Sequence, residues 1–422
     1  MSPRALLVAV CTTPTAIVDA DELLAELRLL AVAAGAEVAG TIVQRRQEPD
    51  PSTFIGKGKL EELMEVCNRQ QTAVVIFDEP LSPAQLRNVE NALGRLVMDR
   101  SQLILDIFAC RARSREGQYQ VELAQLQYLL PRLSGRGVDL SRLGGGIGTR
   151  GPGETKLETD RRKIRNRIGK IRRELARVDA QRQVQGRRRR DSAQPSIALV
   201  GYTNAGKSTL FRSLTGEEVL VSSQPFSTLD PLIRRLSLPN GQTALVSDTV
   251  GFIRKLPHSL VAAFRATLEE VTEADLLLNV VDASVTEPEE QVEAVEEVLG
   301  ELDVGHLPRI DVLNKTDLLE DDGEIAGMLP RFRQAVAVSA VTGKGRDELL
   351  ARIVEVLCSA RPATIFKIPQ DDGAVIADLY EQGRVLRRWY DGGAVLLRAE
   401  VAPLLARRYR SYVVDESQIT IS

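Results

Sequence analysis

The chain has 422 residues, 43% of them hydrophobic, and a formal net charge of −3. That is length enough for two to four domains with full cores. With only His258 and His306, and with Cys11, Cys67, Cys110 and Cys358 scattered, a zinc site, a histidine relay and a disulfide framework are all excluded, which predicts a reducing, cytoplasmic setting.

Residues 1–118 alternate apolar runs with amphipathic stretches. Leu6–Val10, Val38–Val43 and Ala73–Phe77 read as buried strands, and Asp21–Ala34 as a helix between them. A small α/β domain with a mostly parallel sheet is expected. The first apolar run is too short for a signal peptide or a membrane span. Phe54-Ile-Gly-Lys-Gly-Lys59 opens a further helix, either as an anion-binding start or as a lysine-decorated turn.

Residues 119–190 carry a different pattern. Leu123, Leu126, Leu130 and Leu133 recur at helical spacing, as do Ile164, Ile168, Ile171, Leu175 and Val178. Two such stripes predict an antiparallel helical hairpin. Its connection holds Gly144, Gly145, Gly146, Gly148, Gly151 and Gly153, flanked by Arg142 and Arg150. So many glycines suit either close backbone approach to a phosphate surface or a flexible loop. From Thr155 to Arg190, fifteen Lys or Arg stand against four acids, a net of +11, so the rest of the chain carries −14. Such segregation is an electrostatic footprint for nucleic acid, and the absence of aromatics there favours phosphate contacts over base stacking. Arg161 and Arg162 join the glycine loop as expected RNA-facing residues. Residues 186–195 read as a linker.

Residues 191–361 contain the strongest motif. Gly201-Tyr202-Thr203-Asn204-Ala205-Gly206-Lys207-Ser208 follows the apolar run Ile197–Val200 and precedes a helical stretch. That is the strand, glycine loop and helix of a phosphate cradle. Further strands are expected at Ala244–Ser247, Leu276–Val281, Ile310–Leu313 and Ala335–Val338. Asp248-Thr249-Val250-Gly251 ends one of them: Asp248 can hold Mg²⁺ through water, and Gly251 can donate its N–H to a γ-phosphate. In Phe226-Ser227-Thr228-Leu229-Asp230-Pro231, Thr228 is the expected switch threonine on Mg²⁺ beside Ser208, with Ser227 as its rival. Asn314-Lys315-Thr316-Asp317 closes another strand, where a carboxylate accepts from guanine N1–H and its 2-amino group, and Ser339-Ala340 can offer a backbone N–H to guanine O6. The ligand is therefore GTP or GDP with Mg²⁺, and an adenine-driven helicase is excluded. Lys207, Thr228 and Gly251 are the expected catalytic residues. Phe252 stands where a water-orienting glutamine often follows, predicting slow hydrolysis until a partner orders the switches. Asn204 raises K⁺ as a second ion near the phosphates.

Residues 362–422 carry strand-like runs at Ile365–Ile368 and Ala394–Arg398 around a helix expected to end near Trp389 and Tyr390. The fold class expected is α/β: a P-loop GTPase domain plus an N-terminal α/β domain, a helical hairpin and a small C-terminal α+β appendage.

From Thr53 onward the chain resembles the HflX family of translational GTPases. Gly144–Arg162, Phe226–Pro231 and Asp248–Ile253 are the most specific segments. The resemblance implies a monomer that binds the large (50S) ribosomal subunit through rRNA, with the hairpin loop toward the peptidyl-transferase region. It implies splitting or rescue of stalled ribosomes, or a part in subunit maturation. It also implies a hydrophobic residue at 252 and ATP binding by the N-terminal domain, for which only Gly56–Lys59 hints. The alternative is a nucleotide-modulated, RNA-binding assembly factor without splitting activity.

Overall fold

In a computed structural model the chain separates into two bodies, residues 1–178 with 222–230 and 254–267, and residues 179–221, 231–253 and 268–422. Described are residues 2–11, 16–133, 152–190, 194–216, 225–226, 232–254, 268–319, 321–360, 363–401 and 403–414.

The first body is built from β1 (Arg4–Cys11), α1 (Ala16–Ala33), β2 (Glu37–Arg45), α2 (Lys57–Gln70), β3 (Val74–Phe77), α3 (Pro83–Leu93), β4 (Leu96–Asp99), α4 (Arg100–Arg111), α5 (Arg115–Arg132) and, as far as Val178, α6 (Pro152–Arg190). The sheet order is β2-β1-β3-β4, every pairing parallel. β1 and β3 are buried along almost their whole length, which is why they read as continuous apolar runs rather than alternating ones. The sequence reading missed β4, only four residues long. Helix α3 starts on a capping box, Ser82 accepting from Gln85 N while the Gln85 side chain accepts from Ser82 N.

The buried Arg100 guanidinium is held by Asp78 at 2.7 Å and by Glu26. Helix α5 is tied down by Arg132, which reaches Asp99 at 3.2 Å and the carbonyl of Leu81 at 3.0 Å. The hairpin stripes meet as expected. Leu123, Ile168 and Ile171 form a core, with Leu126, Leu130, Ile164 and Leu175 packed on it. Beside it Arg167 grips Glu122 with two bonds of 2.6 Å, so one arginine of the basic run serves the hairpin itself.

The second body contains β5 (Ser196–Gly201), α7 (Lys207–Thr215), β6 (Leu232–Ser237), β7 (Thr243–Asp248), α8 (Glu269–Thr272), β8 (Leu276–Asp282), α9 (Pro288–Glu301), β9 (Arg309–Asn314), α10 (Asp322–Met328), β10 (Val336–Ala337) and α11 (Arg346–Ala360). The order is β10-β9-β8-β5-β7-β6, parallel except for β6, which runs antiparallel to β7. The five expected strands all form. β6 was not expected, because its half-exposed edge sequence Leu-Ile-Arg-Arg-Leu-Ser lacks a buried run. Residues from Ile197 to Leu357 interlock in one core around Leu199, Phe211, Leu278 and Val312.

β11 (Ala363–Pro369), α12 (Gly373–Gln382), β12 (Arg384–Asp391), β13 (Ala394–Glu400), α13 (Pro403–Arg408) and β14 (Val413–Val414) complete it as β-α-β-β-α-β. The sheet is antiparallel, in the order β12-β13-β11-β14. This corrects the expected helix near Trp389 and Tyr390: the helix ends at Gln382, and both aromatics lie on β12. Gly392 and Gly393, both at positive φ, turn β12 back into β13 as a hairpin.

Candidate nucleotide-binding site

The carboxyl ends of β5, β7, β9 and β10 lie along one edge of the sheet, and the motif residues 201–208, 248–251, 314–317 and 339–340 lie at or just beyond them. At the end of β5, Tyr202 bridges to Phe252, Thr203 N donates to Phe252 O at 2.7 Å, and Phe252 N donates to Gly201 O at 3.0 Å. The two phosphate motifs are thus stitched together through their backbones. Gly206 sits at φ 96°, and a Cβ there would lie 2.2 Å from the Asn314 side-chain nitrogen. Gly251 lies so close to the cradle that a Cβ would stand 2.9 Å from Lys207 Nζ and 3.0 Å from Thr203 Cα. Asn204 adopts a left-handed conformation at φ 62°.

Lys207 is the first residue of α7, and its ammonium donates to Gly201 O at 3.0 Å and Tyr202 O at 2.7 Å. Burial lowers its pKa to about 8, although the nearby Asp248 charge pulls it up. Ser208 Oγ donates to Asp248 Oδ2 at 2.7 Å. A buried hydroxyl beside a carboxylate is a hard oxygen pair, the donor chemistry Mg²⁺ takes. No cluster of three or more His, Cys, Asp or Glu forms among the described residues.

At the far end, Asn314 clasps two loops: its Nδ2 donates to Ala205 O at 2.9 Å and its Oδ1 accepts from Ala340 N at 3.0 Å. Asp317 Oδ1 accepts from Ser339 Oγ at 2.6 Å, which aligns that carboxylate. Thr316 N leans on Val338 O at 3.3 Å. Lys315 stands at φ 66°, and its ammonium reaches Asp282 Oδ2 at 2.5 Å. Sequence reasoning missed Asp282. Its signal was the acid that ends a buried strand, in Val280-Val281-Asp282, and the sheet register sets it opposite Asn314.

Three of the expected nucleotide-binding residues have side chains engaged in packing or internal bonds. Thr249 spends its hydroxyl on Leu199 O at 2.5 Å, and Val250 is buried beside it. Phe226 is buried with its ring edge-on to Phe108, centroids 4.6 Å apart. Ser227, Thr228, Leu229 and Asp230 lie outside the described residues, as do Arg142, Gly144, Gly145, Gly146, Arg150 and Gly151. Arg161 and Arg162 are on α6, the second exposed.

Four family models match in succession: "GTP-binding GTPase N-terminal" over residues 21–109, "GTP-binding GTPase Middle Region" over 111–189, "50S ribosome-binding GTPase" over 196–315 and "HflX C-terminal domain" over 329–409. A curated relative from Caldanaerobacter subterraneus, GTPase HflX, is 47% identical across 98% of this chain and 94% of its own length. Another from Escherichia coli, of the same description, is 44% identical across 90% of this chain and 89% of its own. A GTP-binding protein from Sulfolobus solfataricus, solved with GDP, is 26% identical over 85% of this chain and 99% of its own, with a TM-score of 0.45.

Proposed function

Since the chain belongs to the HflX family of GTPases, and so binds GTP and hydrolyses it to GDP and phosphate, we propose that it is a cytoplasmic, monomeric switch that acts on the large ribosomal subunit. Its GTP-bound form engages rRNA, and its output is the splitting or rescue of stalled ribosomes. The observation that carries this reading is the +11 charge of residues 155–190, concentrated on α6 and followed directly by the nucleotide-binding domain. The similarity to a 50S-binding GTPase model over 196–315 supports the same partner. No helix among the described residues is long and apolar enough to cross a membrane.

The chemistry divides among few residues. Backbone N–H groups of 204–208 wrap the phosphates, and Lys207 turns from the carbonyls of 201 and 202 to the β- and γ-phosphates. Mg²⁺, when bound, neutralises charge that develops between those phosphates. Ser208 and Thr228 would hold it directly, and Asp248 through water. Gly251 N–H donates to the γ-phosphate. Asp317, Ser339 and Ala340 read the guanine edge. Phe252 supplies no polar atom to hold the attacking water, so hydrolysis is slow until ribosomal contacts order the switches. Asn204 favours K⁺ as an accessory ion.

Pelleting with 50S subunits in a non-hydrolysable GTP analogue against GDP, together with a 70S dissociation assay, tests the proposal. Tight pelleting with the analogue alone is expected. Equal affinity in both nucleotides would replace the switch with a constitutive assembly factor.

A further inference from the structure

The C-terminal sheet holds the nucleotide-binding domain by the turn that joins β6 to β7. Gly241, at φ 80°, closes that turn by donating its N–H to Leu238 O at 3.0 Å. Asn240 stiffens it: its Nδ2 donates to Gln242 Oε1 at 3.0 Å, and its Oδ1 accepts from Gln242 N at 3.1 Å. Arg384 opens β12, Glu400 ends β13, and the register sets the two opposite each other. Both reach the turn. Gln242 Nε2 donates to Glu400 Oε2 at 3.1 Å, and Arg384 donates to Asn240 O at 3.1 Å and to the same Glu400 oxygen at 3.4 Å. The Glu400 side chain is 12% exposed, so water competes little for its carboxylate.

What the turn is attached to gives this corner its meaning. β6 is the outermost strand of its sheet and pairs with β7 alone. Only Leu236 of its six residues is fully buried, so it is the strand of that sheet held least by its neighbours. It begins at Leu232, directly after Phe226–Pro231 in the chain, and Leu232 lies opposite Asp248 of β7. One end of β6 therefore adjoins the residues that answer a γ-phosphate, and the other ends in the turn that Arg384 and Glu400 grip. The continuous ladder between β6 and β7 passes a displacement along the pair instead of absorbing it. The grip itself is polar, made of an ion pair, a side-chain amide and a carbonyl. Such bonds exchange for water and reform at small net cost, as suits two parts that move against each other.

We propose that the Arg384–Glu400 corner makes the C-terminal sheet a reader of the nucleotide state. β6 shifts when the switch segment closes on a γ-phosphate, and the β6–β7 turn carries the shift to β12 and β13. By linkage, any partner that prefers the C-terminal sheet in one state changes the relative affinity for the two nucleotides by the same factor. The coupling rests on Phe226–Pro231 being the switch segment, and it needs no ribosome.

Hydrogen exchange on the full-length protein, saturated with Mg²⁺ and either GDP or a non-hydrolysable GTP analogue, tests it. Amides of β12 and β13 should exchange at rates about fivefold apart in the two nucleotides, the low end of a site-to-site coupling. Gln242→Ala and Arg384→Ala should each abolish that difference and leave the difference across 222–231 in place. Glu400→Gln, which keeps an acceptor for Gln242 and loses the ion pair, should retain part of it. Saturable GDP binding shows that each variant folds. A purely structural grip would give equal exchange of β12 and β13 in both nucleotides, rising equally in both when the corner is broken, and that result overturns the proposal. So does a nucleotide difference that survives in Gln242→Ala and Arg384→Ala. If residues 222–231 also exchange equally in both nucleotides, the switch assignment falls with it; if they differ while β12 and β13 do not, the switch stands and the coupling alone is lost.

Discussion

Lys315 Nζ and Asp282 Oδ2 lie 2.5 Å apart, joining the last residue of β8 to the residue just past β9. Asp282 Oδ1 is itself held by Ser284, whose N–H donates at 3.0 Å and whose Oγ donates at 2.6 Å. A carboxylate fixed on both oxygens fixes the lysine in turn, and with it the flank of the guanine pocket. Asp282→Asn keeps the shape and removes the charge, which is worth about 1.5 kcal/mol or more in a charge-assisted bond. GDP release, followed with a fluorescent GDP analogue, should speed up about tenfold. An unchanged rate in Asp282→Asn would show that the lysine needs no anchor.

Lys207 gives the nucleotide affinity a pH dependence of known sign. Its pKa in the free protein is lowered from 10.5 to about 8, so it loses charge as pH rises through 8. Phosphate favours the ammonium, so GDP affinity should be highest below 8 and decline between pH 8 and 10. Stability moves the other way. Between 8 and 10.5 the unfolded chain binds the extra proton, so this group's contribution improves with rising pH. Calorimetric titration of GDP at pH 7 and pH 9.5 checks the first sign, with Lys207→Ala as the control that abolishes binding at both.

Phe252 is not an empty position waiting for glutamine. It is 1% exposed, and its backbone holds Gly201 and Thr203. Phe252→Gln should bury an unpaired amide, cost about 1–3 kcal/mol in urea unfolding and bring no gain in turnover. Turnover should instead respond to K⁺ against Na⁺, and lose that response in Asn204→Ala. Identical rates in the two salts would remove the accessory ion.

Arg161 and Arg162 open the Arg-Arg-Lys run of α6, upstream of the Arg167 that grips Glu122. Reversing both charges should weaken 50S binding uniformly and lower the slope of log affinity against log salt by about 2. Pelleting across a salt series measures it, and a slope equal to wild type would place the contact elsewhere.

Most of the nucleotide site was legible because its chemistry is local. Eight consecutive residues make the cradle, and four more make the base-reading turn, each at the end of a strand that its own apolar run announces. The hairpin was legible because Leu123 and Ile168 repeat with a helical period. Contacts between distant segments were not. The Asp282–Lys315 pair depends on how β8 registers against β9, and the burial of Phe226 depends on Phe108, far upstream. The reading of Trp389 as helical failed for a different reason. Arg-Val-Leu-Arg-Arg-Trp-Tyr on an edge strand shows neither a strict alternation nor a buried run, and only the glycine pair after it marks the hairpin.

Asn314 has a consequence for how this site could change over time. One side-chain amide joins the loop that carries Ala205 to the loop that carries Ala340. At this residue, base choice and phosphate grip therefore cannot drift independently. A single replacement at Asp317 would alter the base that is read and leave the amide in place. A replacement at Asn314 would loosen both loops together and forfeit the nucleotide before any new preference had formed. The route from guanine to another base is closed at this residue to one-step change.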